Sequence, residues 1–122
     1  MKEKKETPFL GKTFTNIDLS FLTRISGGDN VFVKDVISSF LETAPPIVDA
    51  IRLGLSESNS FSISQSIHKV KPSLTMLGLV KTKELGDYLE AELTTGDLTD
   101  YLRQGVFKFC DEVSHAINEL TS

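Results

Sequence analysis

Apolar residues recur at spacings of three and four along most of the chain, in stretches broken by short polar or glycine-containing segments. That period places them on one face of an α-helix and obliges each helix to bury that face against another. No segment alternates apolar and polar residues convincingly enough to be a strand. A short first helix is expected from about Asn16 to Ser26, with Ile17, Phe21, Leu22 and Ile25 apolar and Gly27-Gly28 ending it. Asp29 is a suitable N-cap for a second helix. Its stripe is Phe32, Val36, Phe40, Ala44, Ile47, Ile51 and Leu55, and Pro45-Pro46 should kink or split it. A third helix is expected over 60–77, with Ile63, Ile67, Val70, Leu74 and Leu77 inward. A fourth covers about 80–93, with Leu85, Tyr88, Leu89 and Leu93 inward. A fifth covers about 98–120 with Leu102, Val106, Phe109, Val113, Ile117 and Leu120. Short turns between long amphipathic helices favour an all-α fold: an antiparallel four-helix bundle with an additional short N-terminal helix.

A chain of 122 residues fits one domain with a core of its own. Residues 1–15 are charged, are interrupted by Pro8 and Gly11, and read as a flexible leader, with Phe9 and Phe14 as points where it could be pinned to the body; the bundle domain occupies 16–122. With 13 basic and 17 acidic residues the net charge is −4, so no surplus of cations is available to neutralise nucleic-acid phosphates. Cys110 is the only cysteine, which rules out an intrachain disulfide. The charged start does not resemble a signal peptide, and no run of apolar residues is long enough for a membrane span. A soluble, cytoplasmic monomer is expected, with neither nucleic acid nor membrane as a partner.

The stretch Ser66-Ile67-His68-Lys69-Val70-Lys71-Pro72-Ser73-Leu74-Thr75-Met76-Leu77-Gly78 carries the chemistry. On a helix of ~100° per residue, His68 points ~140° from the centre of the apolar stripe and should be exposed on a wall of the bundle. Ser64 lies one turn before it, Lys71 and Pro72 one turn after, and Thr75 two turns after. An imidazole titrating at about 6.5 is mostly neutral at pH 7, and its free nitrogen is nucleophilic. A lysine one turn away can stabilise arriving phosphoryl charge. Ser64, Pro72 and Thr75 are compact and would let a partner close over the ring. From these residues alone, two readings stay open: a phosphoryl acceptor, and an incidental surface histidine.

The same stretch resembles the histidine phosphotransfer (HPt) family, whose pattern is close to His-x-Leu-Lys-Gly-Ser-x-x-x-Leu-Gly. His68, Lys71, Ser73, Leu77 and Gly78 match it, and Val70 is a conservative variant. Gly27-Gly28-Asp29 with Phe32, the aromatic Phe40, and Leu89-Glu90 extend the similarity over most of the chain. Pro72 departs from the common glycine, as in a Lys-Pro-Ser variant of the family, and Ile67 replaces a frequent alanine. The resemblance implies a phosphorelay intermediate of a two-component system. His68 would accept a phosphoryl group from the aspartate of one response-regulator receiver domain and pass it to another. Lys71 would stabilise its charge, and Ser64, Pro72 and Thr75 would form the docking face. Partners would be receiver domains and a hybrid histidine kinase. The chain would need no cofactor, since Mg²⁺ belongs to the receiver. It would have no kinase activity of its own, in keeping with the lack of a glycine-rich phosphate loop.

Other signals are weaker. Glu112-Val113-Ser114-His115 has the Glu-x-x-His spacing of di-iron bundles, but such sites need a second string and two more glutamates, so no metal is expected. Cys110 falls on the inner edge of the last helix and reads as core. Phe61, Met76 and Phe107 read equally as ordinary packing and as an apolar docking rim. Two further functions compete: a binding-only helical adaptor that docks a receiver or kinase without transfer, and a purely structural bundle.

Overall fold

A computed structural model describes Phe14 and residues 16–121. The described residues form five helices: α1 (Ser20–Ile25), α2 (Asn30–Ser56), α3 (Ser60–Met76), α4 (Val80–Thr95) and α5 (Asp100–Thr121). Helices α2 to α5 run alternately up and down. α3 packs on α2 and α4, and α5 packs on α4 and α2, which closes a four-helix ring with α1 appended to α2. Among the described residues no helix is long and apolar enough to cross a membrane. Of the leader, only Phe14 falls among the described residues, and it packs against the core; the rest, Phe9 included, lies outside them.

The α3 stripe is buried as its spacing requires: Ile63, Ile67, Leu74 and Leu77 are fully enclosed and Val70 nearly so. Phe40 and Phe109 are the largest buried side chains. Side-chain caps fix the starts of α2 and α3. Asp29 Oδ1 accepts from the amides of Val31 and Phe32, and the Asn59 side chain accepts from the amide of Ser62.

Four expectations need correction. The first helix starts at Ser20, not Asn16. The amide of Asp18 donates to the Leu77 carbonyl, and Asp18 Oδ1 accepts from the Ser20 amide, so residues 16–19 run as a strap over the α3–α4 turn. Second, Pro45 and Pro46 do not split α2, which runs as one helix through both. Buried Phe40 and Ala44 on one side and Val48 and Ile51 on the other hold it across the two missing N–H groups. Third, its inward stripe includes Val33, Ile37 and Val48, while Phe32 is exposed and Val36 and Ile47 are only half-buried. Fourth, Tyr88 is 45% exposed rather than inward. Its neighbour Leu89 fills the core, and Gly86, also buried, leaves no room for a Cβ against the Phe109 ring.

The turn after α3 depends on Gly78. Its φ of +68° lies in the left-handed region, and a Cβ there would run into the backbone of Asp18. Pro72 does not interrupt α3. A mid-helix proline costs ~3 kcal/mol, and burying Val70 and Leu74 contributes roughly 1.5–3 kcal/mol each, enough to offset it.

Candidate functional site

With α3 and α4 antiparallel and joined by a tight turn, partners rise in number on one helix as they fall on the other. Ser64 meets Thr94, His68 meets Glu90, and Lys71 meets Asp87. The register therefore sets an i, i+3 pair of bases on α3 against an i, i+3 pair of acids on α4. Gly86 makes the approach close: a Cβ there would sit 2.9 Å from the Phe109 ring and 3.4 Å from Ile67 Cγ2.

The side chain of His68 is 71% exposed, as the helix wheel requires. Its Nδ1 lies 2.9 Å from Glu90 Oε2. The other carboxylate oxygen of Glu90 faces Lys71 Nζ at 2.5 Å. Lys71 Nζ also donates to Asp87 Oδ1 at 2.7 Å, and Asp87 Oδ2 accepts from Lys83 Nζ at 2.8 Å. The five groups form one line along the α3–α4 seam in which bases alternate with acids, starting from the imidazole.

The electrostatics follow from that line. Lys71 and, more weakly, His68 hold the Glu90 carboxyl below its usual range, against the effect of burial. Lys71 first and then Lys83 do the same for Asp87. The two carboxylates, Asp87 foremost, hold the Lys71 ammonium above its usual value. Glu90 is thus an ionised acceptor. The proton of a neutral His68 ring must lie on Nδ1, between the ring and Glu90, which leaves the lone pair on Nε2. The arrangement presents one imidazole nitrogen as an accessible nucleophile and backs the other with a carboxylate.

A shallow cavity of about 330 Å³ lies beside the ring, lined by Phe61, Ser64, Gln65, Lys69, Glu90 and Thr94 together with His68 itself. Phe61 is 58% exposed at its rim. Pro72 and Thr75 are exposed on the same helix. Ser64 is not: it is only 4% exposed, and its hydroxyl pairs with Thr94 Oγ1 at 2.7 Å and lies 3.4 Å from the Glu90 carbonyl. The apolar stripe of α3 places Ser64 near the helix edge, but α4 packs over that edge. Ser64 therefore supports the backbone of Glu90 instead of meeting a partner. Lys71 sits between core and histidine, with a side chain only 19% exposed, and in this state it is engaged by carboxylates.

Glu90 stands out in the sequence only as part of Leu89-Glu90, and Asp87 does not stand out at all. The signal that could have found both is the pairing of His-x-x-Lys on one helix with Asp-x-x-Glu on the next, read in antiparallel register. The second histidine is differently placed. His115 Nε2 is 3.4 Å from Glu119 Oε2 on its own helix, and Glu112 accepts from the buried Thr82 hydroxyl at 2.6 Å. Cys110 is buried, and desolvation pushes its thiol up to about 11. Comparisons of the chain with protein-family models, curated proteins and solved structures find no match.

Proposed function

We propose that this chain is a histidine-containing phosphotransfer protein that relays a phosphoryl group between receiver-domain aspartates through His68. The observation that carries the reading is the exposed imidazole whose Nδ1 faces an ionised carboxylate, inside the His68–Lys71–Gly78 motif. The lone pair on Nε2 attacks the phosphorus of a receiver phospho-aspartate. The Nε2–P bond forms, the P–O bond breaks, and the electron pair leaves with the aspartate. No proton has to depart, because the ring becomes a phosphoimidazolium that still carries its Nδ1 proton. Glu90 stabilises the positive charge as it develops, a contribution of the kind that fixed charges make to transition states in acyl transfer. The reverse step discharges the ring to a second receiver. Mg²⁺ and the acceptor aspartate are the partner's. Pro72 and Thr75 flank the ring on the approach side, and Phe61 and the shallow cavity offer the partner apolar surface.

The test is incubation with a phosphorylated receiver domain, followed by detection of acid-labile label on this chain. His68→Gln should abolish the label while keeping the fold, and His115→Gln should label normally. The modified nitrogen should be Nε2, read with reagents that distinguish the two phosphohistidine isomers. Label that persists on His68→Gln would end the reading.

A further inference from the structure

Asp87 touches neither His68 nor the space in front of it, yet it holds Lys71, and Lys71 holds the carboxylate that backs the imidazole. Resting on the phosphotransfer reading, we propose that Asp87 is a positioning residue that sets the lifetime of phosphohistidine at His68, by drawing the Lys71 ammonium partly away from Glu90.

Once Nε2 carries a phosphoryl group, the ring can keep or lose its Nδ1 proton. A deprotonated Nδ1 would set a lone pair against the Glu90 carboxylate at 2.9 Å, so Glu90 favours the protonated phosphoimidazolium. That form is the labile one. Water adds to phosphorus, the Nε2–P bond breaks, its electron pair returns to Nε2, and inorganic phosphate and a proton leave. The strength with which Glu90 enforces this form depends on how fully Lys71 neutralises it. Lys71 is shared between Glu90 and Asp87, and Asp87 is shared between Lys71 and Lys83. Along such a line each removal acts with a sign opposite to that of its neighbour. Without Lys71, Glu90 is unopposed and the phosphoryl group is lost sooner. Without the charge of Asp87, Lys71 turns wholly to Glu90 and the phosphoryl group persists. Among the described residues, other charged groups on the two helices, such as Lys69, make no ion pair with this line. The nearest competitor is Lys83, whose removal should act like that of Lys71, but more weakly.

The experiment loads the full chain chemically with phosphoramidate. The P–N bond of the reagent breaks, ammonia leaves, and the Nε2–P bond forms, so no receiver is needed. Decay of the label is then followed at pH 8 after the reagent is removed, with thermal melts to confirm that each variant is folded. Asp87→Asn should lengthen the half-life about twofold. Lys71→Met should shorten it about threefold. Glu90→Gln should lengthen it most, and adding Asp87→Asn to Glu90→Gln should then change nothing, because Asp87 acts only through Glu90. General loosening of the fold would move Asp87→Asn and Lys71→Met in the same direction. A shared direction, or an unchanged half-life for Asp87→Asn, overturns the proposal while leaving the phosphotransfer reading intact. A parent protein that takes no label on His68 overturns both.

Discussion

At His68 the ring is exposed while its anchor is not, and the same contrast governs Lys71. The sequence places this lysine one turn from the histidine, and the structure tucks it against Gly86, with two carboxylates around its ammonium. Lys71→Ala should therefore cost more than an ordinary surface truncation. About 1 kcal/mol is expected in a urea melt, held to that level because Asp87 remains 41% exposed and its pairing is screened. A loss below ~0.3 kcal/mol would show that the ion pairs contribute nothing net. Pro72 is exposed one turn beyond the histidine, where on the phosphotransfer reading a receiver would approach. Pro72→Gln should fold but accept phosphoryl groups from a receiver more slowly than the parent, whereas Pro72→Ala should transfer normally and be at least as stable. Equal initial rates for the glutamine variant and the parent would leave Pro72 with a role in helix shape alone. The exposure of His68 was legible because it depends only on its own helix. The burial of Ser64 was not, because it depends on the helix that packs across it.

The third and fourth helices act as a unit whose register brings the site together. Most of their inward positions follow from a stripe of threes and fours, and the α3 stripe is buried as read. The facing acids do not follow from it, since Asp87 and Glu90 become partners of Lys71 and His68 only once the turn at Gly78 and the approach at Gly86 fix the offset between helices. Gly86→Ala tests that approach. Alanine is the better helix former by ~1 kcal/mol, but its methyl group would meet the fully buried Phe109 ring at 2.9 Å. Overpacking typically costs 1–3 kcal/mol, so a net loss of about 1 kcal/mol is expected on chemical denaturation. In a double-resonance spectrum the His68 and Glu90 signals should shift as α4 moves outward. A stabilised protein with unchanged shifts would mean that the helices have slack at this point. The two prolines of α2 illustrate the converse: local propensity argues for a break, and the buried residues on either side override it.

Across the whole molecule, the charge line makes stability depend on acid in a specific way. Asp87 and Glu90 titrate below the usual carboxylate range in the folded chain. Their contribution is thus fully present above the unfolded values of about 4 and is lost as pH falls through the lower folded values. Lys71, titrating above its usual value, contributes below the unfolded lysine range and loses that contribution only in strong alkali. Unfolding free energy should therefore fall between about pH 5 and pH 2, and Lys71→Met should flatten that limb relative to the parent. Parallel limbs for the two proteins would place the acid sensitivity elsewhere. The hydrogen bond between His68 and Glu90 has one more consequence. The histidine comes from α3 and its carboxylate from α4, so neither helix alone holds the proton on Nδ1. In an unfolded or partly opened chain, His68 is an ordinary imidazole whose proton exchanges between both nitrogens, with no fixed anion behind it. On the phosphotransfer reading, the bundle would thereby act as its own quality control: only a correctly assembled copy would offer the nucleophile with its carboxylate in place, and damaged copies would fall silent.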